Sequence, residues 1–197
     1  MNGPLLLVFL KNPELGQVKT RLAAGIGDAQ ALAVYQRLLD LTASGCAPLV
    51  VQKEAWYAQR MPLEGEWHMP GIAARIQVGH DLGDRMEHAF NTGFTIGHSP
   101  VIIIGTDCPG LTTAILQEAI DSLDSHEAVI GPARDGGYYL LGLRTPLTDV
   151  FRNKQWSTSS VLAETMTDLD RAGRRTYVLP ELIDVDTEAD LHDTGFA

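Results

Sequence analysis

The feature of this sequence that most restricts its fold is a regular alternation of short apolar runs with segments of helical periodicity. Leu5–Leu10 is apolar throughout, and Val101–Ile104 is the most apolar run of the chain. Strands without polar alternation are typical of a sheet covered on both faces. Further strands are predicted at residues 49–52, 72–78, 128–130, 138–143 and 176–179.

Helical patterns fill the intervals between these runs. One helix is predicted from Asp28, as its cap, to Gly45, and a weaker one around Trp56 and Tyr57. Others are predicted at residues 84–94, 113–123, 157–169, with Ser157 as N-cap, and 187–191. Alternating strands and helices favour right-handed crossovers and a mostly parallel sheet with helices on both faces, and Val101–Ile104 is expected at its centre.

The bulk properties narrow the classes of function. A chain of 197 residues with 45% hydrophobic residues fits one domain, residues 1–197, with its own core. A net charge of -10 argues against nucleic acid and anionic membranes as partners. Two cysteines are too few for a disulfide framework, and no apolar run is long enough to span a bilayer. A cytoplasmic location is therefore expected, and a homodimer remains open.

The loop after the first strand is unusually basic. Lys11, Lys19 and Arg21 supply three of the fifteen Lys and Arg residues, and Gly16 permits a turn with main-chain N–H groups toward a ligand. These residues are predicted to bind the phosphates of a nucleotide. The alternative is a solvated loop with ordinary surface cations.

A carboxylate follows the predicted central strand. Asp107 stands where ligands bind in open α/β sheets, and Mg²⁺ prefers oxygen ligands of this kind. We predict that Asp107 binds a divalent metal, although an Asp before Pro109 and Gly110 also suits a simple turn. Cys108 is expected to be a buried packing residue.

A second acidic cluster lies near the end of the sequence. In extended chain, Asp184 and Asp186 point to the same side and can face one cation, so both are predicted metal ligands. Thr187 and Asp190 have the spacing of a helix cap, which explains them without a metal.

Two more polar loops and one aromatic motif complete the candidate site. Gln77, Asp81 and Arg85 lie in a glycine-broken loop at a strand end and are predicted nucleotide ligands. Asp135 and Gly136 suit either a plain hairpin or an acceptor site. Trp156 and Ser157 are predicted to bind the acceptor, because an aromatic face suits a sugar ring.

Six motifs in this order resemble a bacterial family of GT-A-like glycosyltransferases. They are KxPxxGxVKTRL at residues 11–22, DLGDRM at 81–86, GTDCPGL at 105–111, GPARDGGYY at 131–139, WST at 156–158 and DVDT at 184–187. Members of the family are described as arsenosugar-biosynthesis glycosyltransferases and as relatives of 2-phospho-lactate guanylyltransferases. The glycine pair of many sugar-nucleotide pyrophosphorylases is absent, and the Gly16 loop replaces it.

The resemblance implies a three-layer α/β/α nucleotide-diphospho-sugar transferase (GT-A, Rossmann-like) fold with a mostly parallel mixed sheet. It implies that the first loop holds the nucleotide, and that Asp107 and Asp186 bind Mg²⁺ or Mn²⁺. The expected partners are a nucleotide or nucleotide-sugar and a small-molecule acceptor.

Three functions remain open on the sequence alone. The first is glycosyl transfer from a nucleotide-sugar, with Asp107, Lys19 and Arg21 as catalytic residues. The second is nucleotidyl transfer from an NTP to a phosphorylated acceptor, which releases pyrophosphate. The third is a nucleotide-binding domain without catalysis.

Overall fold

The strands of the protein form one mixed sheet in a computed structural model that describes residues 2–196. The order is β3-β2-β1-β4-β6-β5-β7. The strands are β1 (Leu5–Leu10), β2 (Gln52–Tyr57), β3 (Ala73–Ile76), β4 (Val101–Ile104), β5 (Ala128–Pro132), β6 (Tyr138–Leu143) and β7 (Thr176–Val178). Only β6 is antiparallel to its neighbours. The predicted mostly parallel sheet is confirmed, and β4 is its central strand.

Helices cover both faces of the sheet. They are α1 (Thr20–Ile26), α2 (Asp28–Cys46), α3 (Leu82–Thr95), α4 (Thr113–Ser122), α5 (Val161–Arg171) and α6 (Glu188–Thr194). One core cluster joins alternate residues of β1 to α2 and α4. A second joins the intervening residues of β1 to α3 and α5, and a third joins α1 to α2. The three-layer α/β/α architecture is thereby confirmed.

The prediction around Trp56 and Tyr57 was wrong. Both residues belong to β2, where their side chains are buried in the two opposite core clusters. A strand alternates its side chains between faces, so two adjacent large apolar residues both reach a core when helices cover both faces. Helix α1 was not predicted at all, because its seven residues present a single buried side chain, Leu22.

Two predicted helix caps were also wrong. Helix α2 begins after Gly27, and the side chain of Asp28 makes no capping hydrogen bond. Helix α5 begins after Ser160, while Ser157 lies outside the helix with φ of 65°. The Thr187 and Asp190 cap is confirmed as a reciprocal capping box at the start of α6.

The strand order reverses direction at β1. From β1 the chain continues to β2 and β3 on one side, and β4 then pairs with β1 on the other side. Ligands of open α/β sheets bind at the carboxyl ends of the strands flanking such a reversal. Among residues 2–196, no helix is both long and apolar enough to cross a membrane.

Candidate active site

A cleft of about 740 Å³ opens at the carboxyl ends of β1 and β4. It is the place that the sequence analysis singled out from strand ends alone. Of the fourteen predicted site residues, eleven line it: Lys11, Lys19, Arg21, Gln77, Arg85, Asp107, Asp135, Trp156, Ser157, Asp184 and Asp186. Segments that are far apart in sequence therefore meet at one site.

The structure does not place the other three predicted residues on the cleft wall. Gly16 adopts φ of 73° in its loop, outside the lining. Asp81 is the N-cap of α3, and its carboxylate accepts a hydrogen bond from the Asp84 N–H at 2.8 Å. Gly136, with φ of 89°, lies so close to the Ser159 backbone that a Cβ would overlap it. Each of the three has a local structural role, and its role in binding stays a prediction.

Lys19 is the centre of the site's charge network. Its side chain is only 5% exposed, and its ammonium group makes ion pairs with Asp107 and with Asp186, the latter at 2.9 Å. Burial lowers the pKa of Lys19, but attraction by the two carboxylates outweighs burial and holds the pKa above its ordinary value. Lys19 is thus a permanent cation that bridges two carboxylates.

The backbone of Lys19 has an unusual conformation. As the residue before α1, it has φ of 48° and ψ of 43°, the left-handed region that non-glycine residues rarely adopt. Such strain costs about 1 kcal/mol or more and persists where the surroundings enforce it, commonly at functional sites. No feature of the sequence indicates this conformation.

Arg21 and Lys19 hold the same carboxylate. Arg21 pairs with Asp186 from the first turn of α1, and the arginine side chain remains 71% exposed. Burial raises the pKa of Asp186, but Lys19 and Arg21 together outweigh it and lower that pKa below its ordinary value. Asp186 is therefore ionised and shared between two cations.

Backbone hydrogen bonds bring the late acidic segment to the central strand. The Val185 N–H donates to the carbonyl of Asp107 at 2.9 Å. The Arg134 N–H donates to the carbonyl of Leu182, also at 2.9 Å. The segment before α6 therefore runs between the loops after β4 and β5, which places Asp184 and Asp186 beside Asp107.

The three predicted metal ligands do not form one compact set. In the described part of the chain, no three His, Cys, Asp or Glu side chains are arranged to hold a metal ion. The Lys19 ammonium lies between Asp107 and Asp186. Since Mg²⁺ usually takes one or two carboxylates together with substrate phosphates and water, this pair still fits the metal, whereas a three-carboxylate site does not.

Asp184 lies near three other carboxylates of the site. Burial is the largest cause that raises its pKa, to about 6, and repulsion by Asp135, Asp186 and Asp107 adds to it. A cation that enters the cleft would therefore stabilise the ionised form of Asp184 and lower its pKa.

Another part of the cleft wall consists of α3 and of Trp156, which packs on this helix. The Trp156 indole packs so closely on Gly83 that a side chain at residue 83 would overlap it. Trp156 also contacts the second core cluster while its remaining surface lines the cleft. Its loop is anchored by Lys154, whose side chain is 1% exposed and pairs with Asp168.

Two cleft cations remain without an acidic partner. Neither Lys11 nor Arg85 makes an ion pair with a carboxylate of residues 2–196, although both line the cleft. The Arg85 Nε–H donates to the carbonyl of Gly79 at 3.2 Å, which fixes the guanidinium. These two groups are open to an anionic ligand.

Tyr35 is a site residue that the sequence analysis missed. Its hydroxyl accepts from the Lys11 N–H at 2.9 Å and donates to the Lys11 carbonyl at 3.1 Å. On the sequence, Tyr35 is one of the apolar positions of α2, and nothing distinguishes it from Leu38. The hydroxyl fixes the backbone from which Lys11 enters the cleft.

Comparisons with known proteins agree with this fold. The family model described as "Uncharacterized protein conserved in bacteria (DUF2064)" matches residues 38–158. A solved structure from Desulfovibrio desulfuricans G20, provisionally named a nucleotide-diphospho-sugar transferase, has 34% identity over 98% of this chain and 87% of that chain, with a TM-score of 0.91. A search of curated proteins gave no match.

More distant structures share the fold alone. Rv0371c of Mycobacterium tuberculosis H37Rv, solved in complex with manganese, has 16% identity over 98% of this chain and 97% of that chain, with a TM-score of 0.53. The 4-diphosphocytidyl-2C-methyl-D-erythritol synthase of Anaerococcus prevotii DSM 20548 has 11% identity over 98% and 96%, with a TM-score of 0.58. The chain belongs to the DUF2064 family of bacterial proteins and has the nucleotide-diphospho-sugar transferase fold.

Proposed function

We propose that this protein is a metal-dependent glycosyltransferase that transfers a sugar from a nucleotide-sugar to a small acceptor. The observation that carries the proposal is the buried Lys19 ammonium held by Asp107 and Asp186 at the strand-order reversal. The name of the 34%-identical relative supports a nucleotide-diphospho-sugar donor.

The donor's diphosphate is the group that the cleft cations suit best. Lys11 and Arg85 have no acidic partner, and Arg21 is largely exposed. Arginine binds phosphate oxygens in bidentate fashion, and lysine adds a point charge. In the proposal, Gln77 adds no charge and orients the loop, since its amide donates to the Trp56 carbonyl at 2.9 Å.

Asp107 and Asp186 are the proposed ligands of Mg²⁺ or Mn²⁺. The manganese complex of Rv0371c, a protein of the same fold, supports a divalent metal. When bound, the metal neutralises charge on the leaving diphosphate. Lys19 would then turn from the carboxylates toward the donor's phosphates.

The proposed reaction exchanges one C–O bond for another. The acceptor hydroxyl oxygen bonds to the anomeric carbon as the bond from that carbon to the diphosphate oxygen breaks. The nucleoside diphosphate leaves with the electron pair, and the hydroxyl proton passes to a cleft carboxylate or to solvent. Lys19 and Arg21 stabilise the negative charge that develops on the leaving group.

Nucleotidyl transfer is the second candidate. The fold shared with the diphosphocytidyl-methylerythritol synthase favours it, at a TM-score of 0.58. In that reaction an acceptor phosphate oxygen attacks the α-phosphorus of an NTP, and pyrophosphate leaves with the electron pair of the broken bond. The same cations would stabilise the charge.

The product released distinguishes the candidates. The protein is incubated with Mn²⁺ and either a panel of nucleotide-sugars or a panel of NTPs, and nucleoside diphosphate and pyrophosphate are measured. We expect nucleoside diphosphate, and loss of at least about 100-fold of the rate in Asp107→Asn. Asp170→Asn, an exposed change on α5, is the control and should keep full rate. Tight donor binding with no turnover would instead indicate a non-catalytic nucleotide-binding domain.

A further inference from the structure

The cleft offers charges of both signs to a ligand. Lys11 and Arg85 line it without acidic partners. The wall made by the β5–β6 turn presents Asp135, and the neighbouring segment before α5 adds Trp156 and the hydroxyl of Ser157. A ligand's anionic groups are attracted to the first two residues and repelled by the β5–β6 turn.

The cations near that turn are already occupied. Arg134, next to Asp135, makes ion pairs with Asp190 at 3.1 Å and Asp193 at 2.9 Å, outside the cleft lining. Lys154, two residues from Trp156, is buried against Asp168. Neither is available to an acceptor's phosphate or carboxylate.

Asp135 itself is fixed and still able to accept hydrogen bonds. Its Oδ1 accepts from the Gly137 N–H at 2.7 Å, which holds the carboxylate on the cleft wall. Its Oδ2 makes no hydrogen bond with any of residues 2–196, and the residue is exposed. A hydroxyl donor can therefore bind Oδ2, whereas a phosphate meets a like charge there.

We propose that the acceptor is an uncharged polyhydroxyl compound, with its apolar face on Trp156 and a hydroxyl donating to Asp135. This inference rests on the proposed transferase function and specifies its acceptor class. It also selects between the two candidate reactions, because the nucleotidyl transfer described above uses an acceptor phosphate as the attacking group. Arg85 is the alternative determinant of acceptor charge, because it is the cleft cation on the same helix as Gly83, which Trp156 contacts.

The test compares matched acceptors that differ only in charge. Glycerol is paired with glycerol 3-phosphate, glucose with glucose 6-phosphate, and myo-inositol with its 1-phosphate, each with Mn²⁺ and the nucleotide-sugars. We expect the neutral member of a pair to accelerate nucleoside diphosphate release with kcat/KM at least about tenfold above that of its phosphate ester. Donor consumption in which the phosphate ester is equal or better, or in which no neutral acceptor exceeds the rate with water, overturns the inference but leaves a donor-using enzyme. No donor consumption in any reaction overturns the proposed function as well.

Variants of Asp135 test whether this residue causes the preference for a neutral over a phosphorylated acceptor. Asp135→Asn keeps an oxygen for the Gly137 N–H and removes the charge, and Asp135→Lys reverses the charge. We expect the ratio of neutral to phosphorylated kcat/KM to fall in that order, by about tenfold for the lysine variant. Asp170→Lys, the same charge change at an exposed site on α5, should leave the ratio unchanged. An unchanged ratio in both Asp135 variants, or one that only Arg85→Gln alters, overturns the role of Asp135.

Discussion

At the scale of single residues, Lys19 determines how a cation can enter this site. Its ammonium group is buried between Asp107 and Asp186, where the charge of a divalent metal would also be most stabilised. Loss of one partner leaves the other charge uncompensated, and this costs most at Lys19, because Asp107 is 47% and Asp186 27% exposed. If the proposed function is right, a metal and Lys19 compete for these carboxylates in the absence of donor and act together on its phosphates in its presence.

Lys19→Met should separate these two roles. Without the ammonium group, Mn²⁺ meets an uncompensated Asp107 and an Asp186 that is paired with Arg21 alone, so we expect its affinity to rise by about tenfold. Donor affinity should fall, because a phosphate partner is lost. Titration calorimetry with Mn²⁺ alone, and then with UDP, measures both. Lys11→Met is the matched control, since Lys11 lines the cleft but pairs with no described carboxylate. Equal Mn²⁺ affinity in all three proteins would contradict the competition.

Asp184→Asn should stabilise the metal-free protein in a defined pH window. The folded pKa of Asp184 is raised to about 6, above its ordinary value of 3.8, so stability falls as the pH rises between the two. The variant avoids this cost. We expect a gain of about 1 kcal/mol at pH 7, after allowance for partial exposure, and no gain below about pH 4. Urea denaturation with chelator at both pH values measures it, and a gain that persists at low pH would assign the effect to another cause.

At the scale of elements, the strand runs were predictable and the path of the late acidic segment was not. Leu5–Leu10 and Val101–Ile104 are apolar because both faces of the sheet are covered, and that pattern is local. The same coverage explains the wrong prediction at Trp56, because Ala55, Trp56 and Tyr57 are all buried and show no polar alternation to separate a strand from a helix. The hydrogen bond from Val185 to the Asp107 carbonyl depends on long-range packing, which no window of sequence reports.

The candidate site was predictable where a strand end fixed it. Asp107 follows β4 directly, so its place in the cleft follows from the topology. Gly136 and Asp81 lie outside the cleft lining, and their roles as ligands stay predictions, because a turn and a cap use the same residue types as a binding loop. Tyr35 was missed because its hydroxyl reaches the site from a helix whose other residues serve only the core.

A substitution of Gly83, near the start of α3, should displace Trp156, which is a proposed acceptor-binding residue. An alanine there overlaps the Trp156 indole and the Phe151 carbonyl, and either the loop or the helix must move. We expect a loss of about 1–3 kcal/mol in the free energy of unfolding, as is usual for overpacking, and a larger rise in acceptor KM than in donor Kd. Urea denaturation and steady-state kinetics measure the two effects. Gly3→Ala, where a Cβ meets nothing within 4 Å, is the control. A rise confined to donor Kd would place Trp156 in the donor site.

At the scale of the whole molecule, the protein combines a net negative charge with a cleft in which four basic side chains face four carboxylates. With twenty-five acidic residues against fifteen Lys and Arg, we still predict that nucleic acids do not bind and that the cleft cations attract only anions small enough to enter. Organisation as a single domain over residues 1–197, a cytoplasmic location and a homodimer stay predictions. Sedimentation of the full chain at two concentrations tests the last of these.

Metal and nucleotide should stabilise the fold together more than either does alone. In the proposed site, Asp107 and Asp186 supply only two of the ligands that Mg²⁺ or Mn²⁺ needs, and phosphate oxygens of the donor would supply others. Binding of one ligand therefore raises the affinity for the other, reciprocally. At fixed concentrations of Mn²⁺ and UDP, we expect a rise in Tm that exceeds the sum of the separate rises, since stabilisation grows as the logarithm of ligand over Kd. In Asp107→Asn the excess should vanish while the small rise with UDP alone survives, because Lys11 and Arg85 remain. Scanning calorimetry of the two proteins decides the matter, with Asp170→Asn as the control that should retain the full excess. Strictly additive shifts in the unsubstituted protein would mean that metal and nucleotide do not share ligands in this cleft.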